Sequence, residues 1–266
     1  MILELDEDDT MKPYRTLFAF AAGLTALGAT ALSLPGGASA QGEASGKGAA
    51  SSGEPVLLEL FTSQGCSSCP PADRLAETLA ERPDLVVIAR PVTYWDRLGW
   101  KDTLAKEDNT QLQQAYARKD LAGANGVYTP QLVVDGTYGT VGSRKAEITA
   151  GIRQHGGKGG AAIRVRDLGA KGYGVGLGGT TNGAAELVLV AVTRKVDVGI
   201  MRGENGGSKV TYTNVLRAER KLADWKGGEA SHVIAPSALN VKGADRYALV
   251  LRAPGGGKVL AARWLS

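Results

Sequence analysis

The chain has 266 residues, of which 43% are hydrophobic and 22% are charged, with a formal net charge of +4 at pH 7. This composition is typical of a folded globular protein and excludes disorder for most of the chain. The Lys and Arg residues are dispersed, without a basic run or a basic motif that contains aromatic residues, so nucleic acid is not expected as a partner.

Residues 1–40 are predicted to be a signal peptide. Met11 begins a short basic segment, an apolar run extends from Leu17 to Leu34, and Ala38-Ser39-Ala40 forms a cleavage site of small residues. Residues 1–10 are acidic, unlike the start of a signal peptide, so we expect translation to begin at Met11. A membrane anchor is the alternative, since a span needs about 18 apolar residues. The glycines and hydroxyl residues in the run favour cleavage and a periplasmic or secreted protein without stable membrane insertion.

Residues 41–54 are mostly Gly, Ser and Ala and are predicted to be a flexible linker. Residues 55–157 then alternate between strand and helix patterns. Predicted strands cover 56–61, 85–89, 131–134 and 138–141, and predicted helices follow Pro70, lie around residues 104–116 and lie around residues 148–152. Asp135-Gly136 between the last two strands predicts a tight hairpin.

Residues 161–266 have a different pattern, with short alternating strands separated by glycine-rich turns. The predicted strands cover 162–165, 173–177, 187–192, 209–214, 247–252 and 259–264. This pattern predicts a separate, smaller β-sandwich-like all-β domain.

The chain contains two cysteines, Cys66 and Cys69, placed between the first predicted strand and the first predicted helix. A disulfide across two intervening residues stabilises a fold little, because the stabilisation grows with the size of the closed loop. A purely structural disulfide is one alternative and metal binding by the pair is another. Four-coordinate zinc needs further ligands, and His155 and His232 both lie outside the motif. A redox site is favoured, with no cofactor expected.

Cys66 is predicted to lie just before the helix, facing its unpaired backbone N–H groups and its positive end, which favours the thiolate. We therefore assign Cys66 as the nucleophile and Cys69, further into the helix and less exposed, as the resolving thiol. Glu59 interrupts the apolar strand shortly before the motif. A partly buried carboxyl there would exchange protons with Cys69; the alternative is that Glu59 faces solvent at the rim.

A buried strand, a Cys-x-x-Cys motif at a helix start and a later hairpin led by proline together resemble the thioredoxin fold. The resemblance implies that Pro130, preceded by Thr129, is a cis proline that lies against the disulfide and shapes a peptide groove. The expected fold class is therefore α/β, a thioredoxin-like fold with a helical insertion, followed by the β-sandwich-like domain.

Several longer strings are similar to an exported bacterial family known as domain of unknown function 1223. They are Glu59 to Asp73, Tyr94-Trp95-Asp96, Gly99 to Asp102, Tyr128 to Gln131, Val141 to Ser143, Gly203-Glu204-Asn205 and Thr213-Asn214-Val215. The chain departs from the family at Pro91-Val92-Thr93, where His-Val-Asp is expected, so a role for that His and Asp is absent here.

Three aromatic residues, Tyr94, Trp95 and Trp100, either line a substrate groove or form the core of the helical insertion. Gly203-Glu204-Asn205 is interpreted as a tight turn rather than a binding turn. The predicted function is an exported thiol-disulfide oxidoreductase that acts on protein thiols or disulfides. The alternative is a non-catalytic binding module with a static disulfide, because fold alone does not define function.

Overall fold

Two strands, β1 (Val56–Thr62) and β2 (Leu85–Pro91), are buried along their whole length and form the centre of the sheet. The computed structural model describes residues 53–265, so the predicted signal peptide and most of the predicted linker lie outside the described residues. Strands β1 and β2 run parallel, with Val56 paired to Leu85 and Thr62 to Pro91. Full burial of both faces explains why both segments read as continuous apolar runs.

The remaining elements of the first half follow in chain order. They are α1 (Pro70–Ala80), α2 (Glu107–Arg118), β3 (Ala122–Gly123), β4 (Gln131–Val134), β5 (Tyr138–Val141) and α3 (Lys145–His155). The second half contains only strands and short 3-10 turns. Its strands are β6 (Ala161–Asp167), β7 (Tyr173–Gly179), β8 (Ala185–Gly199), β9 (Lys209–Trp225), β10 (Ala230–Ile234), β11 (Arg246–Arg252) and β12 (Val259–Leu265). The architecture is mixed α/β, with a large sheet and few helices.

The side chains of β1 alternate between two differently packed faces of the sheet. Leu58 and Leu60 pack with α1 and α3 in one core cluster. Leu57 and Phe61 point to the opposite face, where the Phe61 ring meets the Tyr116 ring of α2 at 6.1 Å, edge to face. A residue's parity in β1 therefore decides on which face of the sheet it packs, and helices lie on both faces, α1 and α3 on one and α2 on the other.

The hairpin between β4 and β5 turns at Asp135-Gly136, as the sequence predicts. Asp135 and Gly136 have positive φ, 43° and 64°, and Thr137 follows them before Tyr138 pairs with Val134, so three residues connect the strands. The Asp135 carboxylate accepts hydrogen bonds from the backbone N–H of Leu57 and of Gly157. Burial raises the pKa of Asp135 to about 6.

Strands from both halves of the chain belong to the same large sheet. Nine strands form one sheet in the order β12-β11-β8-β9-β2-β1-β4-β5-β3, and only β10, β7 and β6 form a second sheet among the described residues. The junction is the pairing of β2 with β9 at Ala89 and Val215. The sequence predicts a separate domain because glycine-rich turns mark its strands, but it does not show that β9 is long enough to reach β2.

The three-stranded sheet packs on one face of the large sheet. Ile163 of β6 and Leu177 of β7 share a core cluster with Leu187 of β8 and Leu249 of β11. The two sheets therefore pack face to face, and the layer that faces the three-stranded sheet belongs to the large sheet. Within residues 53–265, no helix combines the length and the apolar character needed to cross a membrane.

Candidate functional site

A disulfide joins Cys66 and Cys69 at the junction between β1 and α1. Cys66 lies in the loop after β1, and Cys69 is the N-cap residue of α1, with helical φ and ψ. Both cysteines have an exposed fraction of 0%, whereas Ser67 and Ser68 between them are exposed. Cys69 is predicted to be the less exposed of the two cysteines, but in this disulfide form both are equally buried.

The start of α1 has fewer free backbone donors than an ordinary helix start. Pro70 and Pro71 occupy the first two helical positions and carry no N–H. The N–H groups of Ala72 and Asp73 donate to the Cys69 carbonyl. The helix end therefore stabilises a Cys66 thiolate less than the sequence argument assumes, because two of the four unpaired N–H groups are absent.

The loop that carries Cys66 is fixed by the segment after β2. The Asp102 carboxylate accepts a hydrogen bond from the Gln64 N–H at 2.8 Å, and the Trp100 indole N–H donates to Gln64 Oε1 at 2.8 Å. Asp102 also accepts from the N–H groups of Leu104 and Ala105. Burial raises the pKa of Asp102 above its usual range. The Asp102 carboxylate therefore connects the helical insertion to the loop that carries Cys66 through hydrogen bonds.

A second segment contacts the cysteine loop from the β8–β9 connection. The Asn205 side-chain amide donates to the Gln64 carbonyl and to the Cys66 carbonyl, both at 2.9 Å. The Glu204 carboxylate accepts a hydrogen bond from the Ser67 N–H at 3.2 Å. The sequence interpretation of Gly203-Glu204-Asn205 as a turn is correct for its backbone, but the turn also binds the motif.

Asp73 is a buried acid one helical turn after Cys69. Residues four apart lie on the same helix face, with Cβ atoms about 5–6 Å apart, so Cys69 and Asp73 are neighbours. Asp73 Oδ1 accepts a hydrogen bond from the Thr62 hydroxyl at 2.8 Å, and Asp73 Oδ2 has no hydrogen-bond partner within the described residues. Burial raises the pKa of Asp73 to about 8, and the nearby Asp102 adds to the shift.

Glu59 lies on the face of β1 opposite to α1. Its carboxylate accepts a hydrogen bond from Arg90 Nε at 2.6 Å and another from the Tyr116 hydroxyl. Because Leu58, Leu60 and Thr62 face α1, the alternation of β1 turns Glu59 away from Cys69. Neither alternative proposed from the sequence describes Glu59. The residue is buried in an ion pair with Arg90, so its carboxylate neither faces the helix that begins at Cys69 nor contacts solvent at the rim.

The ion pair of Glu59 belongs to a larger buried network. Arg90 Nη2 also meets Glu219 of β9 at 2.6 Å, and Arg252 of β11 lies 3.5 Å from the same carboxylate. Burial opposes ionisation of Glu219, but the charges of Arg90 and Arg252 outweigh it and lower the pKa of Glu219 to about 2. The network links β1, β2, β9 and β11 and is therefore a structural feature of the sheet.

The structure brings together most of the predicted groove residues. The Trp95 indole N–H donates to the Thr129 hydroxyl at 2.8 Å. Trp95 and Tyr94 are half-buried against the α2 cluster, and Trp100 packs against the β9 cluster. These rings pack on the core, which is one of the two alternatives, and the Trp100 indole also donates to Gln64 of the cysteine loop. Pro130 is buried, and the Thr129–Pro130 peptide bond is cis, the isomer that the resemblance implies.

Three residues of the site are missed by the sequence reasoning, namely Asp73, Asp102 and Asn205. Asp73 follows Cys69 by four residues in a predicted helix, and this spacing is a signal that could have identified it. Asp102 and Asn205 reach the motif from 38 and 139 residues away. No spacing rule within one sequence connects positions so distant.

Solved structures similar to this chain include two proteins. Protein AGR_C_4864 from Agrobacterium tumefaciens is 28% identical, with a TM-score of 0.68 over 81% of this chain and 96% of that chain. HBP35 of Porphyromonas gingivalis is 14% identical, with a TM-score of 0.50 over 81% of this chain and 76% of that chain, a likeness that concerns the fold alone.

The comparison with curated proteins found no match. The family described as "Protein of unknown function (DUF1223)" matches residues 57–252, which include the cysteine motif, the insertion and the β8–β9 hairpin. The chain belongs to the DUF1223 family.

Proposed function

We propose that this protein is an exported thiol-disulfide oxidoreductase with a thioredoxin-like first half, acting at Cys66 and Cys69. The observation that carries the proposal is the pairing of a disulfide across two residues with the buried carboxyl of Asp73 one turn further along α1. Such a small disulfide adds little stability, and a carboxyl with a pKa near 8 is suited to proton exchange near neutral pH.

The order of the elements around the motif supports a thioredoxin-like fold. Parallel strands β1 and β2 are connected through α1, and the β4–β5 hairpin pairs antiparallel to β1. Helix α3 then returns to the same face as α1. The segment that carries α2 is the helical insertion of this arrangement.

The proposed reaction begins with the disulfide form. A thiolate of a partner protein attacks Cys66 Sγ and forms a mixed disulfide, while the Cys66–Cys69 bond breaks and its electron pair leaves on Cys69 Sγ. A second thiolate of the partner then attacks the partner's own sulfur in the mixed disulfide and releases the Cys66 thiolate. The partner dithiol loses two electrons and becomes a disulfide, and this protein gains the dithiol. The reverse sequence transfers electrons to a partner disulfide.

Asp73 takes the proton-transfer role that the sequence assigns to Glu59. With a pKa of about 8, Asp73 is protonated at pH 7 and donates its proton to the leaving Cys69 thiolate. In the reverse direction the Asp73 carboxylate accepts the proton of Cys69 before that thiol attacks. Its unpartnered Oδ2 atom is the atom available for this exchange.

Export and the nature of the partners complete the proposal. The basic segment, apolar run and small-residue site within residues 1–40 support secretion to a compartment where disulfides persist. The half-buried rings of Trp95 and Trp100 beside the motif support a protein substrate, because aromatic rings are enriched where polypeptides bind.

The experiment is a measurement of the Cys66–Cys69 reduction potential in a glutathione redox buffer, followed by trapping with Cys69→Ser. We expect a potential above about −300 mV, in the range of exchanging disulfides. We expect Cys69→Ser to accumulate mixed disulfides through Cys66, and Cys66→Ser to accumulate far fewer. Equal accumulation in both variants would contradict the assigned roles.

A non-catalytic module with a static disulfide is the second candidate, and the complete burial of both cysteines favours it. This candidate predicts a reduction potential below about −300 mV and no mixed disulfide in either variant. The same two measurements therefore separate the candidates.

A further inference from the structure

The loop of residues 200–208, which joins β8 to β9, is an ordered turn with its own hydrogen bonds. The Ile200 N–H donates to the Ser208 carbonyl at 2.9 Å, and the Gly207 N–H donates to the Ile200 carbonyl at 2.8 Å. Ile200 is buried in a core cluster, whereas Met201 is 75% exposed. The base of the loop is therefore anchored in the core by Ile200, separately from the contacts that its tip makes.

The tip of the loop holds the backbone of the cysteine motif. One side-chain amide, that of Asn205, donates to the Gln64 and Cys66 carbonyls. Asn205 itself is only 9% exposed, so these two hydrogen bonds compete little with water. Gly203 has φ of 79°, and a methyl group on it would lie 3.3 Å from Trp100 Cβ, so the tip also contacts the insertion.

We propose that the 200–208 loop is a gate that closes the Cys66–Cys69 disulfide against exchange, with Asn205 as the residue that holds it shut. The inference rests on the proposed function, because the gated reaction is thiol-disulfide exchange. Attack on a disulfide requires access to one sulfur, and both cysteines are buried while the loop is bound to the motif. Opening the loop releases the Cys66 carbonyl and allows the motif to present Cys66 Sγ.

Glu204 adds an electrostatic component to the closed gate. Its carboxylate lies against the Ser67 N–H, next in the chain to Cys66. A carboxylate at this position repels an approaching thiolate and removes a backbone donor that would stabilise a Cys66 thiolate. Opening therefore moves a negative charge away from the motif at the same time as it frees the Cys66 backbone.

The test is the rate of reduction of the Cys66–Cys69 disulfide by dithiothreitol in the full chain. Asn205→Ala removes both hydrogen bonds and is expected to raise the rate about tenfold. Asn205→Asp keeps the size but turns a carboxylate toward two carbonyl oxygens, and is expected to raise the rate at least as much. Glu204→Gln is expected to give a smaller increase. Asn182→Ala, in the exposed turn between β7 and β8, is the matched control with an unchanged rate.

Thermal unfolding of each variant shows whether it keeps its fold, and Glu204→Gln provides a test at an exposed side chain if an Asn205 variant does not fold. A rate in Asn205→Ala and Asn205→Asp equal to that of the parent would overturn the gate. This failure differs from failure of the proposed function, because the reduction potential is an equilibrium quantity. A potential above about −300 mV with unchanged rates rejects only the gate, whereas a potential below that value rejects the exchange function.

Discussion

The carboxyl group of Asp73 is buried between α1 and the end of β1 and receives one hydrogen bond, from Thr62. Burial disfavours the charged form, and the neighbouring Asp102 disfavours it further, so the pKa rises from 3.8 to about 8. At neutral pH the folded protein therefore holds a proton at Asp73 that the unfolded chain has lost. The free energy of unfolding therefore depends on pH through Asp73. The same bound proton is the one that the proposed reaction uses.

The sign of the linkage gives a testable prediction for Asp73→Asn. A carboxyl with a raised folded-state pKa binds more protons in the folded state, so the free energy of unfolding falls as pH rises from about 4 to about 8. Asparagine does not titrate and avoids this loss. We expect Asp73→Asn to match the parent near pH 4 and to exceed its stability by several kcal/mol at pH 8, as measured by urea unfolding.

Asp84→Asn is the matched control for that prediction. Asp84 is paired with Arg82 at the surface, and the hydrogen bond from Arg82 lowers its pKa. Its contribution to stability is present above the unfolded pKa and is lost as pH falls, so this variant should lose a little stability at pH 8. A stability gain for Asp73→Asn that does not change with pH would contradict the raised pKa of Asp73.

Whether Glu59 can exchange protons with Cys69 depends on which face of β1 its side chain occupies. The alternation of residues along the strand predicts that face from the sequence. Leu58, Leu60 and Thr62 share one face of β1, and that face meets α1. Glu59 has the opposite parity, so it could have been excluded from the cysteine helix once β1 was recognised. Its actual partner, Arg90, is not predictable in the same way, because the register of β1 against β2 is a tertiary property.

At the level of elements, the sequence predicts most strands and helices of the first half to within a few residues. Apolar runs mark β1 and β2, and Asp135-Gly136 marks the β4–β5 hairpin. The second half is less predictable. Strands β8 and β9 have 15 and 17 residues, far longer than the apolar segments within them, because residues 193–199 of β8 and 217–224 of β9 are mostly polar and none of them is fully buried. Hydrophobic pattern alone does not reveal such extensions.

The packing of α1 on the β4–β5 hairpin gives an element-scale prediction at Gly142. A methyl group on Gly142 would lie 2.6 Å from Leu60 Cδ1 and 3.2 Å from Ala72 Cβ. It would also lie 3.3 Å from Pro130 Cβ. We expect Gly142→Ala to lower the free energy of unfolding by about 1–3 kcal/mol, since an extra methyl in a packed site forces the neighbours apart. Denaturant unfolding checks this value.

Gly199→Ala is the control for that substitution. A methyl group on Gly199 meets no atom within 4 Å, and its φ is outside the left-handed region. We expect stability within about 0.5 kcal/mol of the parent, as for most surface substitutions. If both variants had the same free energy of unfolding, the neighbours of Gly142 would accommodate a methyl group without loss of stability, which would contradict the prediction.

At the scale of the whole molecule, the two halves of the chain share a hydrophobic core cluster and a network of buried ion pairs. Val86 and Ile88 of β2 lie in one core cluster with Val190 of β8 and Val250 of β11. Arg90 bonds to Glu59 in the first half and Glu219 in the second, and both members of these pairs are largely buried. Loss of one partner of a buried pair costs about 3–5 kcal/mol, so separating the halves would expose charges as well as apolar surface.

These shared features predict that the described part of the chain unfolds as one cooperative unit. The chain has four tryptophans, with Trp95 and Trp100 in the first half and Trp225 and Trp264 in the second. Replacing one pair by phenylalanine leaves fluorescence that reports on the other half only. In each variant, with the disulfide intact, we expect the fluorescence and far-ultraviolet circular dichroism transitions in urea to coincide. Two separated transitions, with the tryptophans of one half changing before those of the other, would instead show independent domains joined at β2 and β9.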